Sequence, residues 1–342
     1  MSTDDGYSTQ TDSEPRRELA ARGGLSFQLS PGLRNKILPF VSLLVLVMFF
    51  GVLEPRFLTI SNFTIVASQA APLLFITLGA TFVVLMGGID LSVGSAATLA
   101  SAFAAVLVRD YNIGYLAMPV AIAVGITTGL LNGLITTYFR LPSFLVTLGT
   151  LSIFGGLSLH LLQGRSVPVG NPPFRQLAIG QLIPNLPNAA LFALASSAVL
   201  IFVGSWTRFG RYIAAIGAGE AVATVAGIRV RRYKIYAFTV SGAFAGVAGA
   251  FILARLGSGS PQVGANFLLD SIAAIVVGGT ALSGGVGGVH RTLLGVTIVS
   301  ILSNGLGIMG VSSFTRMMIV GFVVILAVAT TIDRERMMNV VK

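Results

Sequence analysis

Two glycine-rich segments hold the polar groups best suited to bind a solute. Residues 87–92 and residues 278–283 share the pattern Gly-Gly-x-x-Leu-Ser, and both interrupt long apolar runs. Such breaks at corresponding places in two halves of a chain are typical of discontinuous membrane helices beside a wet cavity, where free backbone groups are tolerated. The chemistry they offer is hydrogen bonding to a neutral solute. The alternative is that a glycine-rich chain repeats so short a pattern by chance, at two tight turns.

Asp90, in the first of these segments, is the acid nearest to an apolar interior. A charge buried at mid-membrane costs about 2.5–3.5 kcal/mol on insertion scales, so we expect it to have a function. It would bind hydroxyl groups of a solute, order the glycine loop, or cap the N-terminus of the following helix, and Asp270 has a similar choice. With polar groups from neighbouring runs, the candidates for a translocation pathway are Gly87, Gly88, Asp90, Ser92, Asn132, Thr147, Gly278, Gly279 and Ser283.

The chain lacks the residues that usually carry out covalent or metal chemistry. The sequence contains no Cys, and its two histidines, His160 and His290, are not near carboxylates spaced as in a metal or general-base site. Thiolate nucleophiles, iron–sulfur clusters and Cys-based zinc sites are therefore ruled out, and an intramembrane enzyme would have no nucleophile paired with a base. A phosphate-binding loop ends in Gly-Lys followed by Ser or Thr, yet no lysine here follows a glycine. We expect no catalytic residue, metal or cofactor, and no ATP hydrolysis by this chain.

Composition places most of the chain in a membrane. Of 342 residues, 54% are hydrophobic and 10% are charged, and the mean hydropathy is +0.87. Apolar runs of about 20 residues recur, which is the length of a membrane-spanning helix. We therefore predict an all-α, polytopic integral membrane protein with about ten transmembrane helices. The predicted spans are 37–53, 64–86, 91–108, 115–138, 143–162, 189–206, 235–256, 268–282, 292–309 and 316–332.

The net charge of +10 does not indicate a nucleic-acid surface, because the basic residues lie between the apolar runs rather than on one folded face. Their excess in alternate connections follows the positive-inside rule and predicts both termini in the cytoplasm. Residues 1–36 are polar without apolar periodicity, which predicts a disordered cytoplasmic tail before a transmembrane domain, 37–332. A short cytoplasmic tail, 333–342, would follow it. The proline-containing connection 164–188 is predicted to be an irregular loop.

The long basic connection 207–234 is predicted to contain a short helix. Residues 219–228 are rich in alanine, Glu220 suits the positive N-terminal end of a helix dipole, and Gly227 suits a C-terminal cap. Basic residues on both sides would hold this helix at the cytoplasmic surface, free to lie in a groove of another protein. The alternative is an ordinary basic cytoplasmic connection.

This connection resembles the coupling-helix loop, the degenerate counterpart of the Glu-Ala-Ala signature, of permease subunits from bacterial ATP-binding-cassette sugar importers of the ribose type. Three further segments carry the same resemblance: 87–95, 141–150 (Leu-Pro-Ser-Phe-Leu-Val-Thr-Leu-Gly-Thr) and 275–288. Together they cover the chain from about residue 37 to residue 332. The residues that the resemblance assigns to coupling with an ATPase are Glu220, Ala221, Ala223, Ala226, Gly227 and Ile228.

The resemblance implies a permease in the bacterial inner membrane, surrounded by lipid, that moves a monosaccharide inward by alternating access. The solute would be a ribose-like pentose, a hexose or a related polyol. The implied partners are a separate ATPase subunit, a periplasmic sugar-binding protein and a second copy of the permease. A second hypothesis is a secondary transporter driven by an ion gradient, which would need paired intramembrane acids or bases. Beyond Asp90 and Asp270, few such groups are present.

Overall fold

The computed structural model describes residues 31–331, and side-chain burial within this range is defined for residues 37–327. The predicted C-terminal tail and the first 30 residues of the predicted N-terminal tail lie outside the described residues. The first helix is already present at Pro31, before the predicted start near Ile37.

Helices form almost all of the described part of the chain, which confirms the all-α prediction. They are α1 (Pro31–Leu53), α2 (Ile60–Leu85), α3 (Val93–Tyr111), α4 (Ala117–Tyr138), α5 (Ser143–Leu162), α6 (Pro172–Ile179), α7 (Asn188–Trp206), α8 (Arg208–Ala218), α9 (Glu220–Val225), α10 (Val230–Leu256), α11 (Phe267–Val277), α12 (Val289–Ile308) and α13 (Ser313–Thr331). Short 3-10 helices lie at Pro55–Leu58 and Gly114–Leu116. Two short strands, β1 (Val167–Pro168) and β2 (Ser258–Gly259), pair antiparallel.

Seven helices of the described part are long and apolar enough to cross a membrane, namely α2, α3, α4 with the turn before it, α5, α7, α10 and α12. Shorter apolar segments, Ile37–Leu53, Phe267–Val277 and Ser313–Ala327, occupy the other three predicted spans. The polytopic membrane fold is therefore confirmed, whereas the count of ten complete spans is not.

Two predictions about local structure are wrong. The predicted span 268–282 stays helical only to Val277, because Gly279 has a φ of +88° and leaves the helical conformation. The connection 164–188 is not wholly irregular, because it contains β1 and α6. The side chain of Asn171 accepts a hydrogen bond from the backbone N–H of Phe174, at 2.9 Å, and caps α6.

Helices α2 and α10 form the centre of the molecule, and α10 packs along α4. Glycines spaced four apart in sequence predict such close packing. The structure confirms it at Gly125 and Gly129 of α4, which face Gly242 and Gly246 of α10. A Cβ built on Gly242 would fall on the carbonyl oxygen of Gly125, so the two backbones approach too closely for a side chain.

Replacing Gly242 by valine should lower the thermal unfolding midpoint of the detergent-purified chain by several degrees or prevent folding. Overpacking typically costs about 1–3 kcal/mol, and here the obstructing atoms are backbone, which cannot rotate away. The matched control is Gly149→Val on α5, because a Cβ built on Gly149 meets no atom within 4 Å. Equal midpoints for the two variants would show that the α4–α10 packing does not limit stability.

Candidate functional site

Asp90 lies in the segment between α2 and α3 and is the centre of a buried polar cluster. It is 7% exposed. Its Oδ1 accepts hydrogen bonds from the backbone N–H of Ser92, at 3.0 Å, and from the Ser92 hydroxyl, at 2.7 Å. Its Oδ2 accepts a hydrogen bond from the hydroxyl of Ser241 on α10, at 3.0 Å. Both oxygens of the buried carboxylate are therefore hydrogen-bonded, as burial of a charge requires.

Asn132 of α4 joins this cluster through its amide. Its Nδ2 donates a hydrogen bond to the Ser92 hydroxyl, at 2.7 Å. Its Oδ1 is buried and has no hydrogen-bond partner among the described residues. The cluster thus connects α4 and α10 to the segment before α3, and it keeps one buried acceptor unused.

The geometry separates the alternatives considered for Asp90. Ser92, not Asp90, occupies the N-cap position of α3, so the prediction that Asp90 caps this helix is wrong. Asp90 instead accepts from the N–H two residues later, as in an Asx turn. The carboxylate therefore orders the glycine-rich segment and fastens it to α10.

The beginning of α5 holds the same segment from another side. The Ser143 hydroxyl accepts a hydrogen bond from the N–H of Ile89, at 3.0 Å. Thr147, a predicted pathway residue, donates to the carbonyl oxygen of Ile89, at 3.2 Å, and to that of Ser143, at 2.9 Å. The segment from Gly87 to Ser92 is thus tied to α4, α5 and α10.

The second glycine-rich segment follows α11 and, together with the loop 284–288 after it, contains a series of glycines with positive φ, at Gly279, Gly284, Gly285 and Gly287. Arg291 donates a hydrogen bond to the carbonyl oxygen of Gly279, at 2.8 Å. Only glycine adopts such a run of conformations without strain, which explains why the helix stops here.

The two segments with the shared pattern are neighbours, because the residues beside them are in contact. The N–H of Gly285 donates a hydrogen bond to the carbonyl oxygen of Leu85, at 2.9 Å. A Cβ built on Gly284 would lie 2.6 Å from the backbone nitrogen of Gly87. Gly278 is buried and Ser283 is exposed, and neither hydrogen-bonds to the Asp90 cluster. The structure therefore brings Asp90, Ser92, Asn132 and Thr147 together, and it adds the second segment as a neighbour.

The C-terminal end of helix α8 contacts the residues that flank the two glycine-rich segments, which the sequence did not reveal. A Cβ built on Gly217 would fall on the carbonyl oxygen of Leu85 and would lie 2.5 Å from the backbone nitrogen of Gly285. Ala218 packs against Gly285 as well. The small residues 217–219 were the available signal, but only long-range packing shows what they contact.

Helix α9 follows at once and confirms the predicted short helix. It begins at Glu220, whose carboxylate accepts a hydrogen bond from Lys234 Nζ at 2.7 Å. It ends in a turn in which Gly227, with a φ of +81°, donates to the carbonyl oxygen of Thr224, at 3.0 Å. A glycine in this conformation is the usual end of a helix.

Helix α9 exposes two large apolar side chains that are not among the residues singled out by sequence. Val222 and Val225 are 75% and 89% exposed. Ala223, a predicted coupling residue, is buried, whereas Ala221, Ala226 and Gly227 are exposed. Two valines three apart on a helix share a face, and this spacing was the signal that sequence reasoning missed.

The fold defines a class: a multi-pass membrane protein. Residues 62–328 match the family described as "Branched-chain amino acid transport system / permease component", and the chain belongs to this family.

Among curated proteins, the chain is similar to the ribose import permease protein of Bacillus subtilis (strain 168), with 37% identity over 89% of this chain and 94% of that protein. It is 35% identical to the ribose import permease protein of Escherichia coli (strain K12), over 84% and 91% of the two chains. It is 33% identical to the D-allose transport system permease protein of the same strain, over 85% and 89%. No solved structure matches. The resemblance to permease subunits of ribose-type sugar importers is confirmed.

Proposed function

We propose that this chain is the transmembrane subunit of an ATP-binding-cassette importer that moves a monosaccharide, such as a pentose or a hexose, or a related polyol into the cell. The observation that carries the proposal is the contact of Gly217 with Leu85 and Gly285, because these residues lie next to the two glycine-rich segments and so link α8 to both of them. Relatives whose names specify ribose and D-allose support a sugar as the solute. They do not favour the alternative, a transporter driven by an ion gradient.

Three partners belong to this proposal. A separate ATPase would bind α9 through Val222 and Val225, whose exposed apolar side chains would be buried in its groove. A periplasmic binding protein would deliver the sugar, and a second copy of the chain would complete the pathway. In this arrangement Glu220, held by Lys234, keeps α9 fixed to the start of α10.

The mechanism that we infer is a mechanical connection. Movement of α9 by the ATPase is passed to the end of α8, because the two helices are adjacent in the chain. Gly217 then displaces the carbonyl of Leu85 and the N–H of Gly285 together. Packed elements have discrete arrangements, so both glycine-rich segments would switch as a unit between outward-facing and inward-facing states.

Within the proposed pathway, Asp90 acts by positioning the first segment rather than by binding sugar directly. Both of its oxygens are already engaged with Ser92 and Ser241. The unused acceptor of Asn132 is the group available to a sugar hydroxyl when the segment moves. A cluster in which the one charge is fully hydrogen-bonded suits a neutral solute.

Replacing Asp90 by alanine should reduce uptake about tenfold or more at equal expression, because hydrogen bonds to a charged group contribute about 1.5–3 kcal/mol each. Asp90→Asn keeps an acceptor for Ser92 and should lose less. The matched control is Asp110→Asn, since Asp110 is exposed and pairs with the neighbouring Arg109. Unchanged uptake by the alanine variant would reject the positioning role, and equal losses for both Asp90 variants would show that the charge itself is required.

The solute class is tested by uptake of labelled pentoses, hexoses and polyols, with leucine included because the family description names branched-chain amino acids. We expect uptake of at least one neutral sugar or polyol and none of leucine. Uptake of leucine alone would contradict the proposed solute while leaving the importer assignment intact.

A further inference from the structure

A cavity of about 590 Å³ lies beside the first glycine-rich segment and does not take part in the coupling contact described above. Its walls come from residues 86–89, the end of α4, the start of α5, and the beginnings of α9 and α10. Cavities of roughly 300–1,000 Å³ hold small molecules. Its place between α9 and the segment that contains Asp90 means that an occupant would touch both.

The ionised side chains that line the cavity carry a net positive charge. Arg140, Arg231 and Lys234 line the cavity together with Glu220. The Oε2 of Glu220 forms an ion pair with the Nζ of Lys234, at 2.7 Å. Arg140 and Arg231 have neither an ion pair nor a side-chain hydrogen bond within the described part of the chain. Two guanidinium groups therefore remain uncompensated, and guanidinium groups bind phosphate oxygens in bidentate geometry.

A buried hydroxyl in the same wall points independently to a ligand. Thr136 lines the cavity and is 9% exposed, and its Oγ1 has no hydrogen-bond partner among the described residues. Its neighbour Thr137 shows the ordinary arrangement, because the hydroxyl of Thr137 donates to the carbonyl oxygen of Gly133 at 2.7 Å. An unpartnered buried hydroxyl is costly, and a turn of the Thr136 side chain toward the cavity would let a bound oxygen acceptor satisfy it.

We propose that this cavity binds a phosphate monoester, with Arg140 and Arg231 engaging the phosphate and the Thr136 hydroxyl donating to one of its oxygens. Phe144, which is 47% exposed, also lines the cavity, and its side chain would contact the carbon skeleton of the ligand. The net charge of the four ionised lining residues matches a dianion. The existence of the binding site is inferred from these lining residues alone. The effect of ligand binding on transport depends on the proposed function: a ligand held between α9 and residues 86–89 would slow ATP-driven uptake.

The phosphate could belong to a soluble sugar phosphate or to a lipid headgroup, and binding to the full chain separates these sources. In lipid-free detergent, ribose 5-phosphate and inorganic phosphate are titrated by calorimetry, with ribose as the uncharged comparison. In nanodiscs of phosphatidylcholine, the same titration is repeated with and without phosphatidic acid. If the natural ligand is soluble, ribose 5-phosphate binds in detergent and in both kinds of nanodisc. If it is a lipid, phosphatidic acid occupies the cavity, and the calorimetric signal of ribose 5-phosphate disappears only in the nanodiscs that contain phosphatidic acid.

The double variant Arg140→Gln, Arg231→Gln should weaken phosphate binding about tenfold or more, because each arginine contributes charged hydrogen bonds. Thr136→Val, which keeps the shape of the side chain, should weaken it less. The matched control is Arg232→Gln, since Arg232 is exposed and does not line the cavity. No phosphate binding in either setting, or an equal loss with Arg232→Gln, would overturn the site.

Transport gives a separate readout. Ribose 5-phosphate placed on the side of the membrane that holds α9 should slow uptake by the complete complex, and the double arginine variant should resist this inhibition. If phosphate binds but uptake is unaffected, the regulatory effect is wrong while the site remains. If no phosphate binds and the double variant loses its ATPase instead, the cavity receives an acidic segment of that partner, and the proposal fails.

Discussion

Replacing Gly217 by alanine should reduce ATP-driven uptake about tenfold or more while the chain stays folded and bound to its ATPase. The added Cβ would fall on the carbonyl oxygen of Leu85 and close to the N–H of Gly285, both of them backbone atoms. To relieve this overlap, the backbone at Leu85 and Gly285 must move away from α8, at a cost of about 1–3 kcal/mol for overpacking. Because α9 is not altered, ATPase association should persist, and hydrolysis would then proceed without transport.

The matched control for this prediction is Gly219→Ala, two residues further along the same connection. A Cβ built on Gly219 meets its nearest atom, Val222 Cγ2, at 3.7 Å, which is ordinary van der Waals contact. Its backbone is extended, with a φ of 175°, so alanine adopts it without strain. Uptake, ATPase pull-down and thermal midpoint are measured for both variants. Equal uptake would show that Gly217 does not transmit movement, and loss of ATPase association by Gly217→Ala would show that the substitution damages docking instead.

Replacing Val222 and Val225 together by aspartate should abolish association with the ATPase, as measured by pull-down from detergent. The two side chains are 75% and 89% exposed, so their burial against a partner would contribute about 1.5–3 kcal/mol each. A combined loss of this size weakens binding about a hundredfold or more. The folded chain should tolerate the change, because neither side chain is buried within it.

The control for the valine pair is the double substitution by isoleucine, which keeps the apolar surface and should retain the ATPase. Scrambling residues 220–228 should act like the aspartate pair, since it also disperses the exposed valines. If the scrambled or aspartate form still binds the ATPase, α9 is not part of the interface. The basic residues of the connection 207–234 would then form the docking surface.

Local patterns in the sequence predicted much of the fold. Apolar runs placed a helix in each predicted span, and Glu220 and Gly227 predicted where α9 begins and ends. These signals are local, because helix length, dipole and capping depend on residues within one turn of each other. The end of α11 was misplaced for the converse reason: apolar content continues past Val277, and only the conformation of the following glycines stops the helix.

The site depended on contacts that no local pattern encodes. Asp90 and Ser241 are 151 residues apart in the chain, yet their side chains are hydrogen-bonded. The contact of Gly217 with Leu85 and Gly285 joins three distant parts of the sequence in the same way. The repeated Gly-Gly-x-x-Leu-Ser pattern indicated two breaks between helices, but not that they are neighbours. The sequence likewise does not show which side chains of α9 are exposed, because this depends on which side of the helix packs against the rest of the protein.

As the proposed importer subunit, this chain works only with a separate ATPase and a binding protein. The most direct measurement is uptake of the labelled sugar into proteoliposomes that contain the chain, with and without its ATPase, its binding protein and ATP. We expect uptake only when all three are supplied, and no effect of an ionophore at constant ATP. Uptake by the chain alone that follows an imposed ion gradient would contradict the account and identify a secondary transporter.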